Sequence, residues 1–283
     1  MADNHMAPTD KRRLSALVTG ASSGIGTAFA EHLARDGYDL IVVGRRRERL
    51  EDLAWRLREG HGIDVEVLVA DLAKPIDLRS VEKRIKATEN LEILVNNAGF
   101  DSGDKLFTSF IDQAPDLVEE IIQLQVVAPV RLTHAALRGM VARDCGTIIG
   151  VATALVFSAS EPASTPLPKR VLQVSTKEYL KTFTQVLHSE LEGTGVRLQV
   201  LCPGVVDSGF HSQAALARYA AAGVQVATPA AVVEASFAGL RLGEVICVPT
   251  LDDPALIAQY QESARRLFQR SRTAAVSARY TTR

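Results

Sequence analysis

The chain has 283 residues, of which 47% are hydrophobic, and a formal net charge of −1 at pH 7. This length and composition suffice for one sizeable α/β core, and the balanced charge argues against binding of nucleic acid or an anionic membrane through a general basic excess. The three cysteines, Cys145, Cys202 and Cys247, stand far apart. That spacing argues against a disulfide framework or a metal site and indicates a reducing, cytoplasmic compartment. No apolar run reaches eighteen residues, so no transmembrane helix is predicted.

Short apolar segments alternate with helical patterns along the chain. Seven segments predict strands: residues 15–20, 39–44, 65–70, 93–98, 146–153, 197–204 and 244–250. Most are continuous runs of Val, Ile and Leu, which is typical of parallel strands covered on both faces. The alternation therefore predicts an α/β fold with a Rossmann-type doubly wound parallel sheet, in a three-layer αβα arrangement.

One domain is expected over residues 14–270. A polar N-terminal segment (1–13), which lacks the apolar stretch of a signal peptide, and a basic C-terminal tail (271–283) are expected to be flexible. A proline-rich stretch over 158–170 predicts a loop. An alanine-rich segment at about 205–228 carries few charges. It is expected to close a pocket over a small apolar substrate, although alanine is also simply the best helix former.

A glycine-rich sequence, TGASSGIG (19–26), stands between the first predicted strand and the helical pattern that follows it. Gly20 permits a tight turn, and small residues let the backbone approach a pyrophosphate. The helix that starts near Ile25 offers unpaired N–H groups and the positive end of its dipole to that anion. A glycine-rich turn that binds nothing is the alternative, and the strand-to-helix context favours the dinucleotide site.

Two arginines, Arg45 and Arg46, follow the second predicted strand directly. A site that prefers NAD places an acidic residue there to hold the adenosine ribose hydroxyls. Guanidinium groups instead suit the 2′-phosphate of NADP, and Ser22 offers a further hydroxyl donor. The alternative is an ordinary basic first turn of a helix, but positive charge there opposes the helix dipole. The sequence therefore predicts NADP(H) rather than NAD as the cofactor.

Four motifs in this order, TGASSGIG (19–26), ADL (70–72), NNAG (96–99) and PGVVDSGF (203–210), resemble those of the short-chain dehydrogenase/reductase family. The resemblance covers about residues 15–250 and implies a Rossmann-type fold, a nicotinamide cofactor and a homodimer or homotetramer. It also implies that a set of matching residues contacts the cofactor. This set consists of Gly20, Ser22, Ser23, Gly24, Ile25, Gly26, Arg45, Arg46, Asp71, Leu72, Asn97, Ala98, Gly99, Lys177, Pro203, Val206 and Ser208.

The positions that match the family's catalytic residues depart from its usual Asn, Ser, Tyr and Lys. Gln125 in LQVVAP stands at the Asn position and Thr153 in IGVAT at the Ser position. In LQVSTK, Gln173 stands at the Tyr position and Lys177 at the Lys position. We predict these four as the catalytic residues of an atypical active site. An amide cannot supply a proton at neutral pH, and a general acid contributes a factor of about 10²–10⁴, so ordinary ketone reduction should be impaired.

Three residues near the expected pocket could replace the missing acid: Asp101, Glu161 and His211. Each is explained more simply as a solvated loop residue. Tyr179 stands two residues after Lys177, which turns its side chain about 200° away on a helix. We therefore expect Tyr179 to pack outside the site.

Three functions are compatible with an intact cofactor site beside a missing acid. The first is an NADP(H)-dependent oxidoreductase that reduces an imine, an iminium or another activated substrate, since an iminium carbon needs hydride but no added proton. The second is a non-redox cyclase, lyase or isomerase whose pocket orients a reactive substrate. The third is a protein that binds NADP(H) without turnover. The sequence leaves open the substrate, its stereochemistry and whether Gln173 is natural or engineered.

Overall fold

The computed structural model describes residues 13–100, 107–162, 164, 165, 167, 169–272 and 275–280. One candidate named above, Asp101, lies outside these residues. Within them, no helix combines the length and the apolar character that a bilayer span requires.

Seven parallel strands form one sheet in the described part of the chain. They are β1 (Ser15–Thr19), β2 (Asp39–Gly44), β3 (Val65–Val69), β4 (Leu91–Asn96), β5 (Gly146–Val151), β6 (Val196–Leu201) and β7 (Ile246–Cys247). Their spatial order is β3-β2-β1-β4-β5-β6-β7, and each neighbouring pair is parallel. The order reverses between β1 and β4, and open α/β sheets bind ligands at such a point, beyond the carboxyl ends of the strands. The predicted doubly wound Rossmann-type sheet is confirmed.

β2 ends where it was predicted to end, and the other observed strands end before the predicted ones at the carboxyl edge of the sheet. Gly20, Ala70 and residues 97–98, 152–153 and 202–204 follow the last residue of their strands. β7 has two residues instead of the predicted 244–250. An apolar run does not show where strand pairing stops, and the residues beyond the last pair are those that turn away from the sheet.

Helices follow most of the strands. They are α1 (Gly24–Arg35), α2 (Arg47–His61), α3 (Pro75–Lys86), α4 (Pro115–Ile122), α5 (Ala128–Ala142), α6 (Val171–Glu190), α7 (Gln213–Ala221), α8 (Pro229–Arg241) and α9 (Ala255–Ser271). Short 3₁₀ turns cover Phe110–Asp112, Ala154–Ser158 and Ala278–Tyr280. The described residues of the proline-rich stretch after Ser158 form no further helix or strand before α6, as the loop prediction requires.

A π-helical turn, Gln123–Val127, joins α4 to α5. Its cause lies in the sequence, because Pro129 has no N–H to donate to the carbonyl group four residues earlier, that of Gln125. The N–H of Ala128 bonds instead to the carbonyl of Gln123, five residues back. The turn places Gln125 on the buried side of this long helix.

Both faces of the sheet are buried under helices. Alternate strand residues face opposite layers, so Val18 and Val42 join one core cluster whereas Leu17 and Ile41 join the other. Helices α1, α2 and α8 cover the first face through side chains such as Phe29, Leu53 and Val232. Helices α3 and α5 cover the second through side chains such as Leu78, Leu132 and Met140. Strands buried on both faces can be apolar throughout, which confirms the three-layer αβα prediction.

The chain divides into two compact units at Pro249 and Thr250. The first unit contains the sheet and helices α1 to α8, and the second contains α9 and the last 3₁₀ turn. The predicted domain boundaries, 14–270 with a flexible tail from 271, stay predictions.

Candidate active site

The turn after β1 requires glycine at two positions. Gly20 has a φ of +67°, and a Cβ atom there would lie 2.8 Å from Asn97 Nδ2. A Cβ atom on Gly26 would collide with the carbonyl oxygen of Gly20. The Thr27 hydroxyl donates to the Ala21 carbonyl (2.8 Å) and holds the turn against the start of α1. The N–H groups at the start of α1 thus lie beside a turn without obstructing side chains, which fits a pyrophosphate.

Arg46 is fixed beside this turn by two serine hydroxyls. Its Nε and Nη2 atoms donate to Ser22 Oγ (3.2 and 3.1 Å), and Nη2 also donates to Ser23 Oγ (2.7 Å). Arg45 is more exposed, and its guanidinium lies 4.0 Å from the Glu120 carboxylate. Both arginines line the same cavity as the glycine turn. A guanidinium held next to two hydroxyls fits a phosphate group, so the two predicted arginines are not equivalent and Arg46 is the better placed.

The segment after β4 is tied to β1 by hydrogen bonds. The Thr19 hydroxyl accepts from the backbone N–H groups of Asn97 and Ala98 (3.0 Å each) and donates to the Val95 carbonyl (3.1 Å). The Asn97 side chain donates to the Thr19 carbonyl (3.0 Å). These bonds hold Ala98 and Gly99 next to the glycine turn, where both line the cavity.

Lys177 lies on α6 with only 6% of its surface exposed. Its ammonium donates to the Val151 carbonyl at the end of β5 (2.8 Å). Burial lowers the pKa of Lys177 to about 8, and the small opposing effect comes from the Cys202 thiol. Gln173 lies one helical turn earlier, is 7% exposed and faces the same cavity.

Two polar side chains, Gln125 and Thr176, form a buried network with Gln173. Gln125 is 2% exposed, and its Nε2 donates to Gln173 Oε1 (3.5 Å). The Thr176 hydroxyl lies 2.6 Å from Gln125 Oε1 and 2.7 Å from the Leu172 carbonyl, and its single proton can serve either acceptor. In this arrangement the oxygen of Gln173 is occupied, and its NH₂ group is left as a hydrogen-bond donor.

Thr153 follows β5 and begins a 3₁₀ turn. Its hydroxyl accepts from the Leu155 N–H (3.3 Å). At the other end of this turn, Arg170 donates to the hydroxyl and to the carbonyl of Ser158 (2.9 and 3.0 Å). Because Arg170 immediately precedes α6, these bonds fix the position of the Thr153 turn relative to α6, the helix that carries Lys177.

A cavity of about 680 Å³ connects the glycine turn and Arg46 with Thr153, Gln173 and Lys177. We call its two parts the phosphate end (Ser22, Ser23, Arg45 and Arg46) and the reaction end (Gln125, Thr153, Gln173 and Lys177). The predicted cofactor residues all line the cavity except Gly26, which packs behind the turn against Gly20. The residues that do so are Gly20, Ser22, Ser23, Gly24, Ile25, Arg45, Arg46, Asp71, Leu72, Asn97, Ala98, Gly99, Lys177, Pro203, Val206 and Ser208.

The sequence pattern described as short chain dehydrogenase matches residues 15–218. The chain belongs to the short-chain dehydrogenase family. A solved structure of a short-chain dehydrogenase from Sphingobium yanoikuyae in complex with NADPH superposes with a TM-score of 0.83. It is 30% identical, and the match covers 94% of this chain and 100% of that one.

Two curated relatives of this chain differ in their described activity. The very-long-chain 3-oxoacyl-CoA reductase of Anas platyrhynchos is 30% identical over 66% of this chain. The inactive hydroxysteroid dehydrogenase-like protein 1 of Rattus norvegicus is 28% identical over 72% of this chain. This chain spans 58% and 59% of the length of these two relatives.

Three residues were named as possible replacements for the missing acid, and of the two that the structure describes only one lines the cavity. His211 lines it, whereas Glu161 does not. Tyr179 is exposed, stacks on Phe183 and lies outside the cavity lining, as predicted. Among the described residues, no group of three or more His, Cys, Asp or Glu could hold a metal ion.

Sequence reasoning named His211 and the pocket-closing segment 205–228, but it did not single out Arg49, Phe210 or Tyr219 as lining residues. Arg49 lies one turn after Arg46 on α2, and this helical spacing could have revealed it. The cavity wall also includes aromatic rings, in which His211 contacts Phe210 (4.9 Å between ring centroids) and Tyr219 (5.3 Å). The single tyrosine in an alanine-rich segment was the available signal for Tyr219.

Proposed function

We propose that this short-chain dehydrogenase is an NADP(H)-dependent oxidoreductase with a non-standard reaction end. The observation that supports it is the single cavity that joins the fixed guanidinium of Arg46 to the buried ammonium of Lys177. The glycine turn would hold the pyrophosphate, Arg46 the 2′-phosphate, and Lys177 the nicotinamide ribose. When bound, NADPH supplies a hydride.

The residues of the reaction end would orient the substrate. The NH₂ group of Gln173 and the Thr153 hydroxyl can donate hydrogen bonds to an acceptor atom, but neither is an acid at neutral pH. A substrate with a polarised C=N⁺ bond needs no added proton, and an iminium or another activated substrate therefore suits this site. The aromatic wall formed by Phe210, His211 and Tyr219 suits a large apolar group. The reductase from Anas platyrhynchos, whose name specifies very-long-chain acyl substrates, supports an apolar substrate.

A second candidate function is NADP(H) binding without turnover. Two observations favour it: an amide occupies the position of the family's tyrosine, and a relative is described as inactive. A non-redox cyclase, lyase or isomerase that uses the same pocket is the remaining alternative. No contact in the described residues favours that third function over the first two.

Titration with NADPH followed by single-turnover absorbance at the nicotinamide band tests these functions. The substrate panel would contain bulky ketones and preformed cyclic iminium salts. NADPH binding with hydride transfer to any member would support the oxidoreductase. NADPH binding without hydride transfer would favour a protein that binds NADP(H) without turnover. Absence of NADPH binding would contradict both this function and the oxidoreductase. Arg47→Gln is a suitable control for binding, because Arg47 is exposed, pairs with Glu51 and does not line the cavity.

A further inference from the structure

The reaction end offers very few groups that could give a proton to a substrate oxygen. Gln173 has its oxygen bonded to Gln125 and presents an amide, which donates a hydrogen bond without releasing a proton. The Thr153 hydroxyl is likewise not a titratable acid in the neutral range. Lys177 is the remaining group of this end, and it carries an ammonium.

The position of Lys177 suits a role in proton transfer. It follows Gln173 by four residues on α6, so both side chains leave the helix on one face, and both line the cavity. An ammonium has three N–H donors. One of them is used by the Val151 carbonyl, and no other hydrogen bond to the described residues engages Nζ. Two N–H groups remain, so one can bind the nicotinamide ribose as proposed above and the other can reach a substrate oxygen.

We propose that Lys177 is the general acid of this dehydrogenase and gives its own proton to the substrate oxygen that the family's tyrosine would otherwise protonate. The proposal rests on the oxidoreductase function proposed above. It widens the substrate class from iminium ions to carbonyl compounds, because a proton source is then present next to Gln173. In this role Gln173 orients the oxygen and Lys177 protonates it.

The charges around Lys177 favour an acidic ammonium. The titratable group that faces it from β6 is Cys202, whose pKa burial raises to about 12, so this thiol is neutral at pH 7. On α6 itself, Glu178 and Lys181 pair with each other (2.9 Å). Gln125 and Thr153 are uncharged, so no carboxylate among the described residues offsets the desolvation. A pKa near 8 leaves Lys177 mostly protonated at pH 7 and still able to release its proton, as general acid catalysis requires.

The proposed step balances in atoms and electrons. The hydride from NADPH forms the new C–H bond, the C=O π bond breaks, and NADPH is oxidised to NADP⁺. The carbonyl oxygen takes a proton from Lys177 Nζ and becomes a hydroxyl, which leaves a neutral amine. Water then returns a proton to the amine. An iminium ion accepts hydride without taking this proton. A ketone and an iminium ion therefore differ in whether their reduction needs the proton of Lys177.

The decisive experiment compares one bulky ketone with one preformed iminium salt in the wild type and in Lys177→Arg. Arginine keeps the positive charge but does not deprotonate. We expect the wild-type ketone rate to fall about tenfold per pH unit above pH 8, whereas the iminium rate should show no such fall. In Lys177→Arg, the ratio of ketone rate to iminium rate should drop at least tenfold. An unchanged ratio would overturn the proposal, since Lys177 would then act only as a cation.

A second readout needs neither cofactor nor turnover. In protein labelled with ¹³C and ¹⁵N at lysine, the side-chain resonance that is absent from Lys177→Arg should titrate near pH 8. A resonance that titrates above pH 10 would overturn the proposal. If NADPH binds but neither substrate is reduced, the proposed oxidoreductase function fails while this titration can still succeed, so the two failures are distinguishable. A larger loss of ketone rate in Tyr219→Phe than in Lys177→Arg would also overturn the proposal, because Tyr219 would then be the proton donor.

Discussion

At the phosphate end of the cavity, two serine hydroxyls hold Arg46, and the turn around Gly20 leaves room for a pyrophosphate. At the reaction end, an amide stands four residues before the buried Lys177, and two further polar residues hold that amide in place. In the motif alignment on which our proposal rests, the first end follows the family's pattern, whereas the second matches it only at the lysine. In our proposal, binding of the 2′-phosphate depends on Arg46, whereas proton transfer depends on Lys177. One can therefore change while the other is kept, and each can be tested separately.

The largest expected effect comes from restoring the family's residue at the reaction end. Gln173→Tyr should raise ketone turnover by about 10²-fold, the lower end of the range for general acid catalysis, because Lys177 already supplies part of that function. Single-turnover absorbance with NADPH and a bulky ketone measures it. Iminium turnover is the internal control, since that reaction takes up no proton. If ketone turnover does not rise, the lack of a tyrosine acid is not what limits the reaction end, and the proposed difference between the two ends is wrong.

At the phosphate end, Arg46→Gln should weaken NADPH binding by about 10–100-fold, since a hydrogen bond to a charged group contributes about 1.5–3 kcal/mol. NADH binding should stay nearly unchanged, because NADH lacks the 2′-phosphate. Arg45→Gln should weaken NADPH less, because Arg45 is exposed and lies near Glu120. Fluorescence titration of both cofactors measures these affinities. Equal loss of NADPH and NADH affinity would remove the argument for NADP.

A smaller effect is expected from Gly26→Ala. The added methyl group would collide with the Gly20 carbonyl, and such overpacking costs about 1–3 kcal/mol. The Tm should fall, and NADPH affinity should fall with it because the turn must shift. Gly60→Ala on α2 is the matched control, since nothing lies within 4 Å of the added Cβ and alanine favours a helix. A Tm as high as that of the control would show that the turn tolerates a side chain.

An effect of similar size concerns stability at the reaction end. The pKa of Lys177 is lower in the folded chain, about 8, than in the unfolded chain, so the unfolded state binds more protons between about pH 8 and 10.5. The contribution of this group to the free energy of unfolding therefore rises with pH across that window. Below pH 8 its buried charge lowers that free energy by up to about 3 kcal/mol. Lys177→Met should raise the Tm at pH 7, and this gain should shrink toward pH 10.

Thermal unfolding of wild type and variant at both pH values measures this difference. Lys83→Met is the control, because Lys83 is exposed on α3 and its replacement should give no gain that depends on pH. A Lys177→Met gain that is equal at pH 7 and pH 10 would contradict a depressed pKa.

The sequence predicted the sheet and the phosphate end because their signals are local. The glycine spacing in TGASSGIG and the arginines after the second strand lie within a few residues of the features they serve. The network around Gln173 was less accessible, because the contact between Gln125 and Thr176 joins residues 51 positions apart through a π-helical turn. The aromatic wall was predicted only in part, since the sequence named His211 and the segment that contains Tyr219 but not the contact between their rings. His211 and Tyr219 reach the cavity only after the segment that follows β6 has folded back over it.

The open sheet described above also bears on how copies of the chain associate. Its edge strands are β3 and β7, and an exposed edge can pair with a strand of another molecule. β7 is only two residues long and offers few backbone groups. On β3, the exposed Glu66 carboxylate pairs with Arg84 (2.8 Å), and an added strand would have to desolvate these charges. Both edges therefore discourage the strand-by-strand growth through which folded β-sheets aggregate.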